Sequence, residues 1–69
     1  MLIIENESDY DILNYYNVDL ESQIIEFTEK VQTPEGNWIH SLILLGDDFG
    51  IIVFMKEEMA PQNLLEYLD

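Results

Sequence analysis

The chain contains no cysteine and no arginine, only two lysines (Lys30 and Lys56), one histidine (His40), two prolines and three glycines. Without cysteine there is no disulfide and no thiolate metal site, which fits a reducing compartment. One histidine excludes a His-rich metal centre. The apolar runs are short and broken by polar residues, so the sequence predicts no transmembrane helix. The opening MLIIENE lacks a basic region and a long apolar run, so no signal peptide is expected and the reading is cytoplasmic. Sixty-nine residues make one domain, 1–69, which buries a modest fraction of its surface and gains from oligomerisation when other staples are missing.

Acid is present in excess. Fifteen Asp and Glu against two Lys give a formal net charge of −13, while 48% of residues are hydrophobic, enough to argue against disorder. Direct binding to nucleic acid or to an anionic membrane would work against that charge, and basic partners suit it. The chain is rich in Ile, Asn and Tyr and poor in Ala, Pro, Gly and Arg, as AT-rich genomes write proteins. Lysine codons are AT-rich too, so the scarcity of lysine points to selected acidity. Solubility and adaptation to high salt are the competing explanations.

The organising stretch is 21–55, which reads as a three-stranded antiparallel meander over about 22–32, 37–45 and 49–55. Ile25, Phe27 and Val31 alternate with Glu26, Thr28, Lys30 and Gln32. Thr33-Pro34-Glu35-Gly36-Asn37 suits a three-residue hairpin loop with Pro34 at i+1 and Gly36 left-handed. That register sets Thr33 against Asn37, Val31 against Ile39, Phe27 against Ile43 and Ile25 against Leu45. A three-residue loop Gly46-Asp47-Asp48 sets Leu45 against Phe49, Ile43 against Ile51 and Ile39 against Met55. One face is then uniformly apolar: Ile25, Phe27, Val31, Ile39, Ile43, Leu45, Phe49, Ile51, Val53 and Met55. The other is mixed, with Trp38, Leu42, Leu44, Ile52 and Phe54 beside Glu26, Thr28, Lys30, His40 and Lys56. Gly50 allows a bulge or a close approach.

Around the meander the sequence predicts a short helix at about 8–16, an optional strand at 2–4 and a C-terminal helix at about 61–68. Ser8 and Asp11 resemble a capping box, and Asn17 is a reasonable C-cap. Pro61 fits a first helical turn, and Leu64, Leu65 and Leu68 give that helix a stripe. In an alternative extended reading, Glu5, Glu7, Asp9 and Asp11 would form a row of charge about 6.6 Å apart, twice the strand rise. The class is α+β. Either one terminal helix covers each sheet face, or both cover the uniform face and leave the Trp38 face open to a twin subunit or a target.

No constellation carries catalysis. Gly46-Asp47-Asp48-Phe49-Gly50 echoes kinase and polymerase strings, but those need large domains and further motifs, and Asp and Gly are ordinary turn residues. The carboxylates from Glu5 to Asp11 lack a calcium loop's glycine, and Tyr16 stands where the closing Glu belongs. His40 is read as a residue that tolerates a half-exposed strand position rather than as a catalytic one. The expectation is a non-enzyme without cofactor or metal.

The leading expectation is an acidic inhibitor from a phage or mobile element that blocks the nucleic-acid site of a host protein. Its contacts would be Glu5, Glu7, Asp9, Asp11, Asp19, Glu21, Glu26, Glu29, Asp47, Asp48, Glu57 and Glu58. In composition and size, though in no motif, the chain resembles DNA-mimic proteins. Two alternatives stand beside it: an immunity or antitoxin protein that grips a basic toxin through Trp38 or one of Tyr10, Tyr15 and Tyr16, and a small structural or regulatory subunit. A homodimer through Trp38, Leu42, Leu44, Ile52 and Phe54 is compatible with each.

Overall fold

Leu2 and Ile4 are buried and Ile3 is exposed, the alternation of a strand with one covered side, and they form β1 (Leu2–Ile4). In the computed structural model, which describes residues 1–68, β1 runs parallel to β4 (Gly50–Lys56). β4 pairs antiparallel with β3 (Gly36–Leu44), and β3 with β2 (Ile24–Thr33), giving the order β1-β4-β3-β2. The predicted meander and the strand at 2–4 are both present in this α+β fold.

Because β1 and β2 occupy opposite edges, residues 5–23 must cross the sheet. They begin with a 3-10 turn, Glu7–Tyr10, that runs into α1 (Asp11–Tyr15). The cap is not Ser8 with Asp11. The Asp9 carboxylate accepts the backbone N–H of Glu5 (2.9 Å) and of Asn6 (3.3 Å), while the Ser8 hydroxyl donates to Asn6 Oδ1 (2.6 Å). Those bonds close a turn, so the extended row of Glu5, Glu7, Asp9 and Asp11 does not form. α1 ends in a Schellman arrangement: Val18 N–H donates to Leu13 O (2.7 Å) and Asn17 N–H to Asn14 O (3.1 Å), with Asn17 left-handed at φ 58°. Leu13 and Val18, the two residues this motif brings together, are both buried.

At the other end a 3-10 turn, Glu57–Met59, leads to Pro61, which caps rather than opens α2 (Gln62–Leu65). The helix is shorter than the predicted 61–68. Single turns continue it, with Tyr67 N–H on Leu64 O and Leu68 N–H on Leu65 O. The Asn63 side chain donates to Leu20 O and ties α2 to the crossing segment. Helices this short have no independent stability, so docking holds them.

The core is a single layer between sheet and helices. Ile4, Ile39, Ile43, Val53, Met55 and Leu64 are fully enclosed, joined by Leu2, Leu13, Val18, Leu20 and Ile25. Truncating Leu64 or Ile43 to alanine would cost roughly 2–5 kcal/mol, the range for enclosed aliphatics. Both helical segments pack on this side, the second of the two arrangements considered above.

The β3–β4 register is as expected, with Ile43 opposite Ile51 and Ile39 opposite Met55. Leu45 N–H donates to Phe49 O across the Gly46-Asp47-Asp48 loop (3.1 Å). Phe49 nevertheless stays 62% exposed and is not core. The β2–β3 register differs. Thr33 pairs with Gly36, so the turn holds two residues, Pro34 and Glu35. Thr33 Oγ1 closes it by accepting Glu35 N–H (3.2 Å) and donating to Gly36 O (2.8 Å). One residue less in the loop turns every β2 side chain over. Val31 therefore faces Trp38 rather than Ile39, and Phe27 faces Leu42 rather than Ile43. An irregularity at Glu26 restores the phase for the start of the strand, so Ile25 meets Ile43 rather than Leu45 and returns to the core.

Candidate functional site

The shift in β2 sorts polar from apolar in a way the sequence does not display. Thr28 and Lys30 move to the helix side. There the hydroxyls of Thr28 and Ser41 hydrogen-bond each other (3.1 Å), which satisfies the one polar side chain fully enclosed among the described residues. Lys30 Nζ reaches Glu57 Oε2 at 2.7 Å, and Asn37 Nδ2 donates to Glu57 Oε1 (3.5 Å). These partners hold the Glu57 carboxyl below its ordinary range, the Lys30 contact first and the Asn37 bond second.

Other carboxylates are also committed to the fold. Asp9 caps the first turn. Asp19 accepts the Ser22 hydroxyl (2.8 Å) and Glu21 N–H (3.0 Å), and those bonds lower its pKa, the hydroxyl contributing most. Glu29 bonds His40 Nδ1 (2.8 Å). Glu5, Glu7, Asp11, Glu21, Glu26, Asp47, Asp48 and Glu58 are exposed and make no side-chain hydrogen bond or ion pair among the described residues.

Topology places these acids unevenly. Asp47, Asp48 and Glu21 lie at the sheet end where β2 and β4 begin. Glu5, Glu35, Glu57 and Glu58 lie at the opposite end, and Glu7, Asp9 and Asp11 sit on the crossing segment. Within the strands the only acids are Glu26 and Glu29.

Among the described residues, no element covers the sheet face away from the helices. The molecule measures 35 × 28 × 19 Å, and its least dimension fits one sheet and one helical layer at a spacing of about 10 Å. Trp38, Leu42, Leu44, Ile52 and Phe54 all lie on this face, half-buried by their sheet neighbours alone. Register adds Ile3, Ile24, Phe27 and Val31, which sequence reasoning missed; Ile24 is 67% and Phe27 38% exposed. Reading Pro34-Glu35 as the whole turn would have found Phe27 and Val31. The aromatic rings interlock: Trp38 stacks on Phe54 (centroids 4.8 Å apart, 13° between planes), and the His40 ring meets Phe27 and Phe54 edge-on at 5.3 and 5.9 Å. Lys56 Nζ stands 6.0 Å over the Trp38 ring.

Gly50 is the close approach that the sequence suggested. A Cβ there would lie 2.8 Å from Ile43 O and against the Leu42 and Leu44 side chains. An open depression of about 500 Å³ runs between α1 and Pro61 past Tyr10, Leu13 and Val18. Burial alone raises the Tyr10 phenol's pKa. No group of three or more His, Asp or Glu side chains converges to hold a metal among the described residues, and no helix there is long and apolar enough to cross a membrane. The chain matches no family model, no curated protein and no solved structure.

Proposed function

We propose that this protein is an acidic inhibitor that occupies the nucleic-acid-binding site of a basic protein by presenting DNA-like charge. The observation that supports this is the surplus of uncommitted acid. Glu5, Glu7, Asp11, Glu21, Glu26, Asp47, Asp48 and Glu58 are exposed and unpaired among the described residues, whereas Lys30 is engaged by Glu57 and Lys56 lies over Trp38. Duplex DNA carries one charge per about 1.7 Å of axis, and a protein that binds it carries matching Lys and Arg. Carboxylates fixed to the ends and helical side of a rigid sheet can meet those cations and release counterions as a duplex does.

The test is capture of binding proteins at low and high salt, followed by titration of the recovered partner against salt and against duplex DNA. The expected result is a steep loss of affinity with salt and displacement by DNA. Binding that survives molar salt and excess DNA rejects the reading. A second reading, a grip on one basic toxin by shape, draws support from the Trp38–Phe54 stack on the uncovered face. It predicts that Trp38→Ala weakens target binding more than neutralising Asp47 and Asp48 does.

A further inference from the structure

The uncovered sheet face and the distribution of acid point together to one occupant. We infer that the chain self-associates into a two-fold dimer by stacking this face on its copy in a second chain. A molecule of net charge −13 meets its own kind only where its acid is thinnest. That place is this face. The only carboxylate its strand register assigns to it is Glu29, bonded to His40, and the face also carries Lys56, so it holds two of the chain's three basic side chains. A target chosen for its positive charge would be drawn to the sheet ends and the helical side instead. The dimer thus deepens the proposed function: it leaves both acidic surfaces outward, and a two-fold arrangement of acid suits a two-fold target.

The face is at the lower limit of size for a specific interface. Four strands spaced by about 4.8 Å, averaging about seven residues at about 3.3 Å per residue, give a flat footprint of about 450 Å² per copy. Side-chain relief raises the pair towards the roughly 1,000 Å² in total at which specific interfaces begin. The interlocked rings of Trp38, Phe54, His40 and Phe27 supply the rigid aromatic anchors that such interfaces concentrate at their centres.

Charge sets the sign of the salt response. Like charges on the two copies repel, salt screens that repulsion, and apolar burial is not weakened by it. The dimer therefore tightens with salt, whereas the charge-led target binding loosens, so the two readings fail separately.

The experiment is sedimentation of the intact chain from micromolar to millimolar, at low and at molar salt, with Trp38 fluorescence followed over the same range. Trp38 is the only tryptophan, so its emission reports this face alone. The expected result is a doubled mass at high concentration, a blue shift that accompanies it, and a several-fold tighter association at molar salt. Leu42→Lys and Ile52→Lys, on the two central strands, abolish the dimer while circular dichroism stays native. Tyr15→Lys, the same charge on a residue 79% exposed on α1, leaves the dimer intact. A monomer throughout at both salts overturns the inference. So does a dimer that persists in both face variants or is lost in Tyr15→Lys, because the contact would then lie elsewhere.

Discussion

Thr28 and Ser41 face each other across β2 and β3 with their hydroxyl oxygens 3.1 Å apart, on the side of the sheet that the helices seal. Ser41 is fully enclosed, so its hydroxyl has no recourse to water. Thr28→Val strands it and is expected to lower stability by about 1–3 kcal/mol, the desolvation cost of an orphaned buried polar group. Thr28→Val combined with Ser41→Ala removes both partners and recovers much of that loss. Urea denaturation of the two single variants and the double variant checks the non-additivity.

Gly50 is expected to resist even alanine. The added Cβ would meet the Ile43 carbonyl oxygen, which belongs to the β3–β4 ladder and cannot move without breaking it. Gly50→Ala should destabilise by about 1–3 kcal/mol through overpacking. A glycine kept only for turn flexibility would tolerate the change, and thermal unfolding distinguishes the two cases.

Asn17 closes α1 at φ 58°, where a β-branched residue is strained. Asn17→Val is expected to cost about 1–2 kcal/mol, and Asn17→Gly to be neutral or slightly stabilising. Equal effects from both substitutions in equilibrium unfolding would contradict the Schellman closure.

The pH dependence follows from Asp19 and Glu57, both held below their ordinary values of 3.8 and 4.5. A carboxyl whose folded pKa is depressed contributes stability above its unfolded value and loses it as pH falls through the folded one. Glu57→Gln should therefore lower stability at neutral pH, and its difference from the native chain should vanish in acid, below pH 4.5. Screening by solvent keeps the effect small, because Glu57 is at the surface. A difference that grew in acid would reverse the assignment.

Asp47→Asn with Asp48→Asn separates charge from fold. Both carboxylates are exposed and have no partner among the described residues, so stability should change little. Affinity for a basic target should fall, and the slope of log K against log salt should lessen by about 1 for each carboxylate that met a cation. Asp9→Asn removes instead a carboxylate that caps the first turn, and should be read in stability.

Much of the meander was legible because alternation and turn residues are local signals. Gly46-Asp47-Asp48 set the β3–β4 register, and Asn17 and Pro61 marked the helix ends within a residue. The register of β2 was not legible. Thr33-Pro34-Glu35-Gly36 is compatible with a two- or a three-residue loop, and the choice inverts Phe27, Thr28, Lys30 and Val31 together. For the same reason the expected uniform face held two residues that belong to the open one.

Sequence by itself determined the α+β class, the acidity of −13 and the apolar character of the strands, since composition and period 2 require no knowledge of distant partners. Tertiary structure decided which carboxylates are free and which are absorbed into caps and pairs, and that both helical segments share one side. It also decided that Trp38, Phe54, Phe27 and Leu42 stand together uncovered. Those outcomes depend on the turn at Pro34-Glu35, the irregularity at Glu26 and the crossing of the sheet by residues 5–23. Each is settled by packing between residues far apart in the chain, which no local pattern records.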